Sequence, residues 1–335
     1  MRNWLRVKSN PPLPFFLLLF LIGCSAATPT QVPAPTMTSP TITTRAPEPF
    51  PSPPATRTSA PTLTVAPAPP PSPTMARTVP PLSPQVTPNV VELAKGFGGP
   101  DDLALMADGS ILFTDVGNGT VNQIHPNGQV TTVLRGLEEP EGIVVLPDGS
   151  LIIAEQKKNR LVHFRSNSGA APTLWLALEN KTSNPGVDGL ARDPGTGDII
   201  VPDSPNGRVL RAGPDGKNVR VLATGMVRPT GADVESDGSI LVADEYGNAV
   251  KRIRTNGRVE TLGHFSTPDD VVVDAQGNIL VASLGDDSIR MIDARTGATA
   301  LVVKARGPQG LILDRDGSLI VAEAGLNRIV RIRIR

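Results

Sequence analysis

From Asn89 to Arg335 the chain alternates short apolar runs with polar turns, and no window of eleven residues carries a helical period. Pro308-Gln-Gly-Leu-Ile-Leu-Asp-Arg-Asp-Gly-Ser-Leu-Ile-Val-Ala-Glu323 shows the unit: an apolar run, an Asp-Gly turn, then a second apolar run. Related segments open with Pro100-Asp-Asp-Leu, Pro140-Glu-Gly-Ile, Val187-Asp-Gly-Leu, Pro229-Thr-Gly-Ala and Pro268-Asp-Asp-Val, at intervals of 40, 47, 42, 39 and 40 residues. In the fourth unit the runs fall at Gly231 to Glu235, Ile240 to Ala243, Val250 to Arg254 and Val259 to Leu262. The turns between them carry Asp-Gly, Gly-Asn and Asn-Gly, pairs that accept the positive φ of tight hairpins.

Four antiparallel strands recurring about every 40 residues predict an all-β fold, a six-bladed β-propeller at residues 90–335. The sixth unit ends after three strands, whereas Val90-Val-Glu-Leu-Ala-Lys95 at the other end resembles the fourth strands Val130 to Leu134 and Val219 to Ala223. That N-terminal strand is expected to complete the last blade and close the ring.

Composition changes the picture upstream. Arg2, Arg6 and Lys8 precede an apolar run from Leu13 to Ile22, too short to span a bilayer, so residues 1–23 read as a signal peptide. The run ends in Leu21-Ile22-Gly23-Cys24, which resembles the lipobox of bacterial lipoproteins; the resemblance implies acylation of Cys24, the only cysteine of the chain, and a membrane anchor. Residues 24–89 hold 19 of the 35 prolines with abundant Thr, Ser and Ala, a composition expected to give a disordered Pro/Thr-rich linker. The expected location is therefore a lipid-anchored one on the extracellular face or in the periplasm. The rest carries 26 basic and 31 acidic residues without a basic stripe, which excludes a nucleic-acid surface and is consistent with a monomeric head.

Candidate chemistry lies where the repeats differ. The Asp-Gly turns at Asp108, Asp148, Asp237 and Asp316 recur because hairpins need them. The acids ending the second strands, Asp115, Glu155, Asp203, Asp244 and Glu323, recur as loop ties on the other face. The residue opening each inner strand varies: Asp101, Glu141, Asp188, Thr230, Asp269 and Gln309. All six carry oxygen and are expected to face the channel axis. Converging carboxylates repel, so either protons or a cation must sit among them. An oxygen-only shell predicts a divalent metal, Ca²⁺ first, held by Asp101, Glu141, Asp188, Asp269 and Thr230. The three histidines, His125, His163 and His264, fall on third or fourth strands and offer no zinc cluster. The connection Leu178 to Val187 emerges on the same face, as a lid or a plain surface loop.

The Asp-x-Asp-Gly-Ser-Leu-Ile-Val-Ala-Glu/Asp…Asn-Arg-Ile pattern resembles NHL repeats and the SMP-30/gluconolactonase superfamily of six-bladed propellers. The resemblance implies a divalent cation at the channel mouth that polarises a lactone carbonyl. Asp101, Asp188, Thr230 and Asp269 stand at or beside the family's ligand positions, and Asp269 and Glu141 are the acidic residues expected to activate water or supply a proton. The expected partner is a small molecule, a lactone or ester, bound at the mouth. The alternative is a non-catalytic extracellular binding or sensor propeller of the NHL type. A lyase resembling the streptogramin lyases is the third option, for which no channel-facing histidine is available.

Overall fold

The structure is a computed structural model that describes residues 88–166, 169–180 and 184–333. The signal peptide, Cys24 and nearly all of the proline-rich segment lie outside the described residues, as do positions 181–183 of the proposed lid. Among the described residues, no helix is long and apolar enough to cross a membrane.

Six four-stranded antiparallel sheets form the blades, and in five of them the strands run from inner to outer in chain order. Blade 1 comprises Pro100–Leu105, Ile111–Asp115, Thr120–Ile124 and Val130–Arg135, and blade 4 comprises Pro229–Val234, Ile240–Asp244, Ala249–Ile253 and Val259–His264. Neighbouring inner strands pack against one another around a full circle. Blade 6 consists of Pro308–Leu313, Leu319–Glu323 and Arg328–Arg333, with Asn89–Lys95 paired antiparallel to Arg328–Arg333, from Asn89 opposite Arg333 to Lys95 opposite Arg328. The expected closure is therefore present, and it converts two sheet edges into one ladder.

The turns form as their residues dictate. The Asp108 carboxylate accepts the Ser110 N–H at 2.9 Å while Gly109 takes φ +86°, and Asp148, Asp237 and Asp316 accept the N–H groups of Ser150, Ser239 and Ser318 in the same way. Six apolar clusters fill the seams, one between each pair of neighbouring blades. Ile143, Ile153 and Val162 of blade 2 meet Leu112 and Val121 of blade 1, and the closing seam joins Leu103, Ile111 and Phe113 to Ile320, Ala322 and Ile329. Each fully buried Ile, Leu or Phe there contributes about 1.5–3 kcal/mol. Phe97, which follows the closing strand, meets Phe113 edge-on with ring centroids 4.6 Å apart.

Blade 3 departs from the pattern. Its inner ladder is only Ala191–Arg192, paired with Ile200 and Ile199. Beyond it, the neighbouring second strand presents Pro202, which has no N–H to continue the ladder. The segment carrying Asp188 is thus held outside the sheet. The Gly142 N–H of blade 2 donates to the Asp188 carbonyl at 3.1 Å, and the Val187 N–H donates to Asn159 Oδ1 at 2.8 Å.

Candidate active site at the channel mouth

The opening residues of the inner strands come together as the alternation predicts, though unequally. Asp101, Glu141 and Asp188, from blades 1, 2 and 3, are buried and place carboxylate oxygens within 4.8 Å of one another. Asp269, 7% exposed, belongs to the same electrostatic cluster, since Asp188 and Asp101 both act on its carboxyl. Thr230 is fully buried, but its hydroxyl is committed to backbone: it donates to the Asp269 carbonyl at 2.7 Å and lies 3.3 Å from the Ala243 carbonyl. The structure therefore does not bring Thr230 into the converging set. Gln309 opens the sixth blade with a buried Oε1 that has no hydrogen-bond partner.

Burial pushes the carboxyls of Asp101, Glu141 and Asp269 well above the ordinary range, and their mutual repulsion, with that of Asp188, adds to it. The carboxylate oxygens of Asp101 and Glu141 lie within 4.8 Å of each other, and the interaction between the two side chains raises Glu141 while it lowers Asp101, so the pair titrates together. A cation suits the trio, because three converging buried carboxylates are hard, oxygen-only ligands. Gln309, at the same repeat position in blade 6, keeps a buried amide oxygen without a partner.

Two features escaped the sequence. The first is Arg228, 5% exposed, whose Nη2 lies 2.5 Å from Asp188 Oδ2 and whose Nη1 pairs with Glu245. Its guanidinium stands over the ring of Tyr246, 5.2 Å from the centroid, and Gln156 Nε2 donates to the same Asp188 oxygen at 3.2 Å. The second is a set of aspartates deeper in the channel. Asp102 accepts the N–H groups of Leu103 and, across the seam, Ile143; Asp233 accepts those of Val234 and Val273; Asp270 accepts those of Val271 and Leu311. Each carboxylate staples two neighbouring inner strands. Burial raises Asp102 to about 7 and Asp233 to about 6. Glycines occupy the position of Asp102 and Asp270 in the other four blades because the strands converge there; a Cβ on Gly231 would meet Asp270 Oδ1 and lie 2.6 Å from Asp270 Cα. Below this waist the channel widens into a chamber of about 360 Å³ lined by Ala104, Val144, Arg192, Asp233 and Val272 among others.

The second-strand acids act as loop ties. Asp115 accepts the Gly98 N–H, Glu155 the Glu138 N–H, Glu323 the Arg306 N–H, and Asp244 the N–H groups of both Val227 and Arg228. Asp203 instead holds Arg208 and Asn206 within its own blade. The three histidines stay away from the mouth: His125 Nε2 pairs with Thr131 Oγ1 at 2.9 Å, His163 lies in the third strand of blade 2, and His264 ends the fourth strand of blade 4.

This architecture places the protein among the six-bladed propellers with an acidic channel mouth. The chain belongs to the SMP-30/gluconolactonase/LRE-like family, whose model matches residues 103–305. A virginiamycin B lyase of Nocardia farcinica is 30% identical over 175 residues, covering 52% of this chain and 58% of that protein's length. Among solved structures, a gluconolactonase of Xanthomonas campestris superposes with a TM-score of 0.61 at 17% identity, over 74% of this chain and 90% of the other. A catalytically inactive histidine-to-alanine variant of Staphylococcus aureus virginiamycin B lyase, with quinupristin, gives 0.55 at 18% identity, over 70% and 80%. At these identities the structural likenesses speak for the fold.

Proposed function

We propose that the mouth is a divalent-cation site serving hydrolysis of a lactone or ester-like small molecule. The observation that carries this reading is the convergence of Asp101, Glu141 and Asp188, buried and within 4.8 Å, beside Asp269. The electrostatics are consistent with it. Four buried carboxyls, Asp101, Glu141, Asp188 and Asp269, crowd the mouth, and a bound divalent ion would relieve the repulsion that raises the proton affinity of Asp101, Glu141 and Asp269 in its absence. When bound, the cation supplies Lewis acidity toward a carbonyl oxygen. Asp101, Glu141 and Asp188 hold it. Asp269 lies outside the trio that would hold the ion, and in its ionised form the raised proton affinity suits it to take a proton from attacking water and pass it to the leaving oxygen, with Glu141 beside it as the second acid of the site. Ca²⁺ is the ion that best suits such an irregular oxygen set.

The Staphylococcus aureus virginiamycin B lyase has a solved variant described as catalytically inactive after a histidine-to-alanine change. None of the three histidines of this chain lies at the mouth, which favours hydrolysis over that chemistry. The Leu21-Ile22-Gly23-Cys24 stretch supports carriage of this head on a lipidated Cys24 outside the cytoplasm.

The test is twofold. Ca²⁺ should raise the melting temperature of EDTA-treated protein in a manner lost in the Asp101→Asn/Glu141→Gln double variant. A panel of lactones and esters should show turnover that falls at least about a hundredfold in Asp269→Asn. Stabilisation by Ca²⁺ without turnover on any lactone or ester would instead support a binding head.

A further inference from the structure

A divalent-cation site at the mouth leaves Arg228 without a role. Among the described residues it is the one basic side chain ion-paired to the ring of opening residues; Arg160, Arg208, Lys251 and Arg328 pair instead with second-strand acids of their own blades. Its backbone is fixed, because its N–H donates to Asp244 Oδ1 at 2.9 Å and Pro229 follows it. Its guanidinium bridges two acids of different standing. Asp188 belongs to the converging trio, whereas Glu245, in the turn after the second strand of blade 4, does not. The Arg228 Nε is buried with no partner, so neither acid saturates the group.

A tethered guanidinium at 2.5 Å from Asp188 Oδ2 competes with any incoming ion at a high effective concentration. A monovalent ion brings the same single charge and must also shed its water, so it gains nothing by the exchange. A divalent ion brings twice the charge, and the displaced guanidinium keeps Glu245 and the Tyr246 face as partners.

Building on the divalent-cation site inferred for the mouth, we propose that Arg228 is its specificity-determining residue: a built-in counter-cation on Asp188 that divalent ions displace toward Glu245 and monovalent ions do not.

The experiment uses EDTA-treated protein, calorimetric titration with CaCl₂, and melting temperatures in KCl against tetramethylammonium chloride at equal ionic strength. Wild type is expected to bind Ca²⁺ and to respond identically to the two monovalent salts. Arg228→Met should bind Ca²⁺ at least about tenfold more tightly and should now be stabilised by K⁺ relative to tetramethylammonium. Glu245→Gln, which keeps Arg228 but removes the group that receives it, should bind Ca²⁺ at least about threefold more weakly, and it serves as the test if Arg228→Met does not fold. Ca²⁺ affinity unchanged or weakened in Arg228→Met, continued indifference to K⁺ there, or unchanged or tighter Ca²⁺ binding in Glu245→Gln overturns the proposal while leaving the cation site standing. If wild type and both variants all fail to bind Ca²⁺, the cation reading itself falls, and the proposal with it.

Discussion

Asp233 gives the sharpest physical prediction, because its role can be separated from the mouth. The carboxylate joins blades 4 and 5, accepting the Val234 N–H at 2.7 Å and the Val273 N–H at 2.9 Å, yet burial outweighs these bonds and raises the group to about 6. In the unfolded chain an aspartate releases its proton near pH 4. Between those values the folded protein holds more protons than the unfolded one, so unfolding free energy must fall as pH climbs from about 4 to about 6 and then level. Roughly two pH units at about 1.4 kcal/mol each set an upper bound of about 3 kcal/mol, and residual solvation brings the expectation to about 1–3 kcal/mol. Asp102, raised to about 7, contributes with the same sign and carries the slope further. Carboxylates held below the ordinary range by hydrogen bonds, such as Asp108 and Asp237, lose their contribution only as pH falls below about 4 and leave this window clear.

Asp233→Asn keeps a carbonyl acceptor and removes the charge at every pH. Urea unfolding at half-unit steps from about pH 4.5 to about pH 8 should show wild-type stability declining with pH and a flatter profile for the variant, the two curves converging or crossing by about 1–3 kcal/mol. The cost of leaving one backbone N–H without an acceptor shifts the whole variant curve by about 1 kcal/mol without changing its slope. Parallel profiles, or wild-type stability that rises with pH across the window, would refute the stapling account.

The remaining predictions test closure, the waist and the anchor. Removal of Asn89–Lys95 should lower the melting temperature by more than about 10 °C and promote association, seen by scattering, because the third strand of blade 6 becomes an open edge. Gly231→Ala should destabilise by more than about 3 kcal/mol in urea, since its Cβ would press on the Asp270 backbone, whereas Gly149→Ala, with open space around it and φ +78°, should cost only about 1 kcal/mol. Cys24→Ser should abolish incorporation of labelled palmitate and move the protein from the membrane fraction to the soluble one.

The blade scaffold was legible because its determinants are local and repeated. A glycine at positive φ after an aspartate whose carboxylate caps the next N–H is visible in four letters, it recurs in four of the six units, and the six units together fix the ring; the strand at Val90 to Lys95 could be matched to its sister fourth strands by apolar alternation alone. The convergence of Asp101, Glu141 and Asp188 was equally legible, because it follows from position within the repeat. Thr230 occupies the same repeat position, yet its short hydroxyl finds two carbonyls before it reaches the axis, a competition that depends on distances between blades. Pro202 was readable as a residue without an N–H but not as the cause of a truncated neighbouring strand, since that requires the register of blade 3. Arg228 did leave a trace. The position before each inner strand holds Gly99, Glu139, Gly186, Arg228, Thr267 and Gly307, and in four of these the backbone is left-handed, with φ of +134°, +54°, +42° and +52° at Gly99, Glu139, Thr267 and Gly307. Arg228 is the long basic residue at a position otherwise filled mainly by small or turn-forming ones, and it adopts none of that left-handed geometry. The same rule that exposed the carboxylates, that function gathers where the copies disagree, points to it once the comparison is moved one residue upstream. What the letters could not supply was the sign of its effect, which depends on Asp188 and Glu245 arriving from two different blades to share one guanidinium.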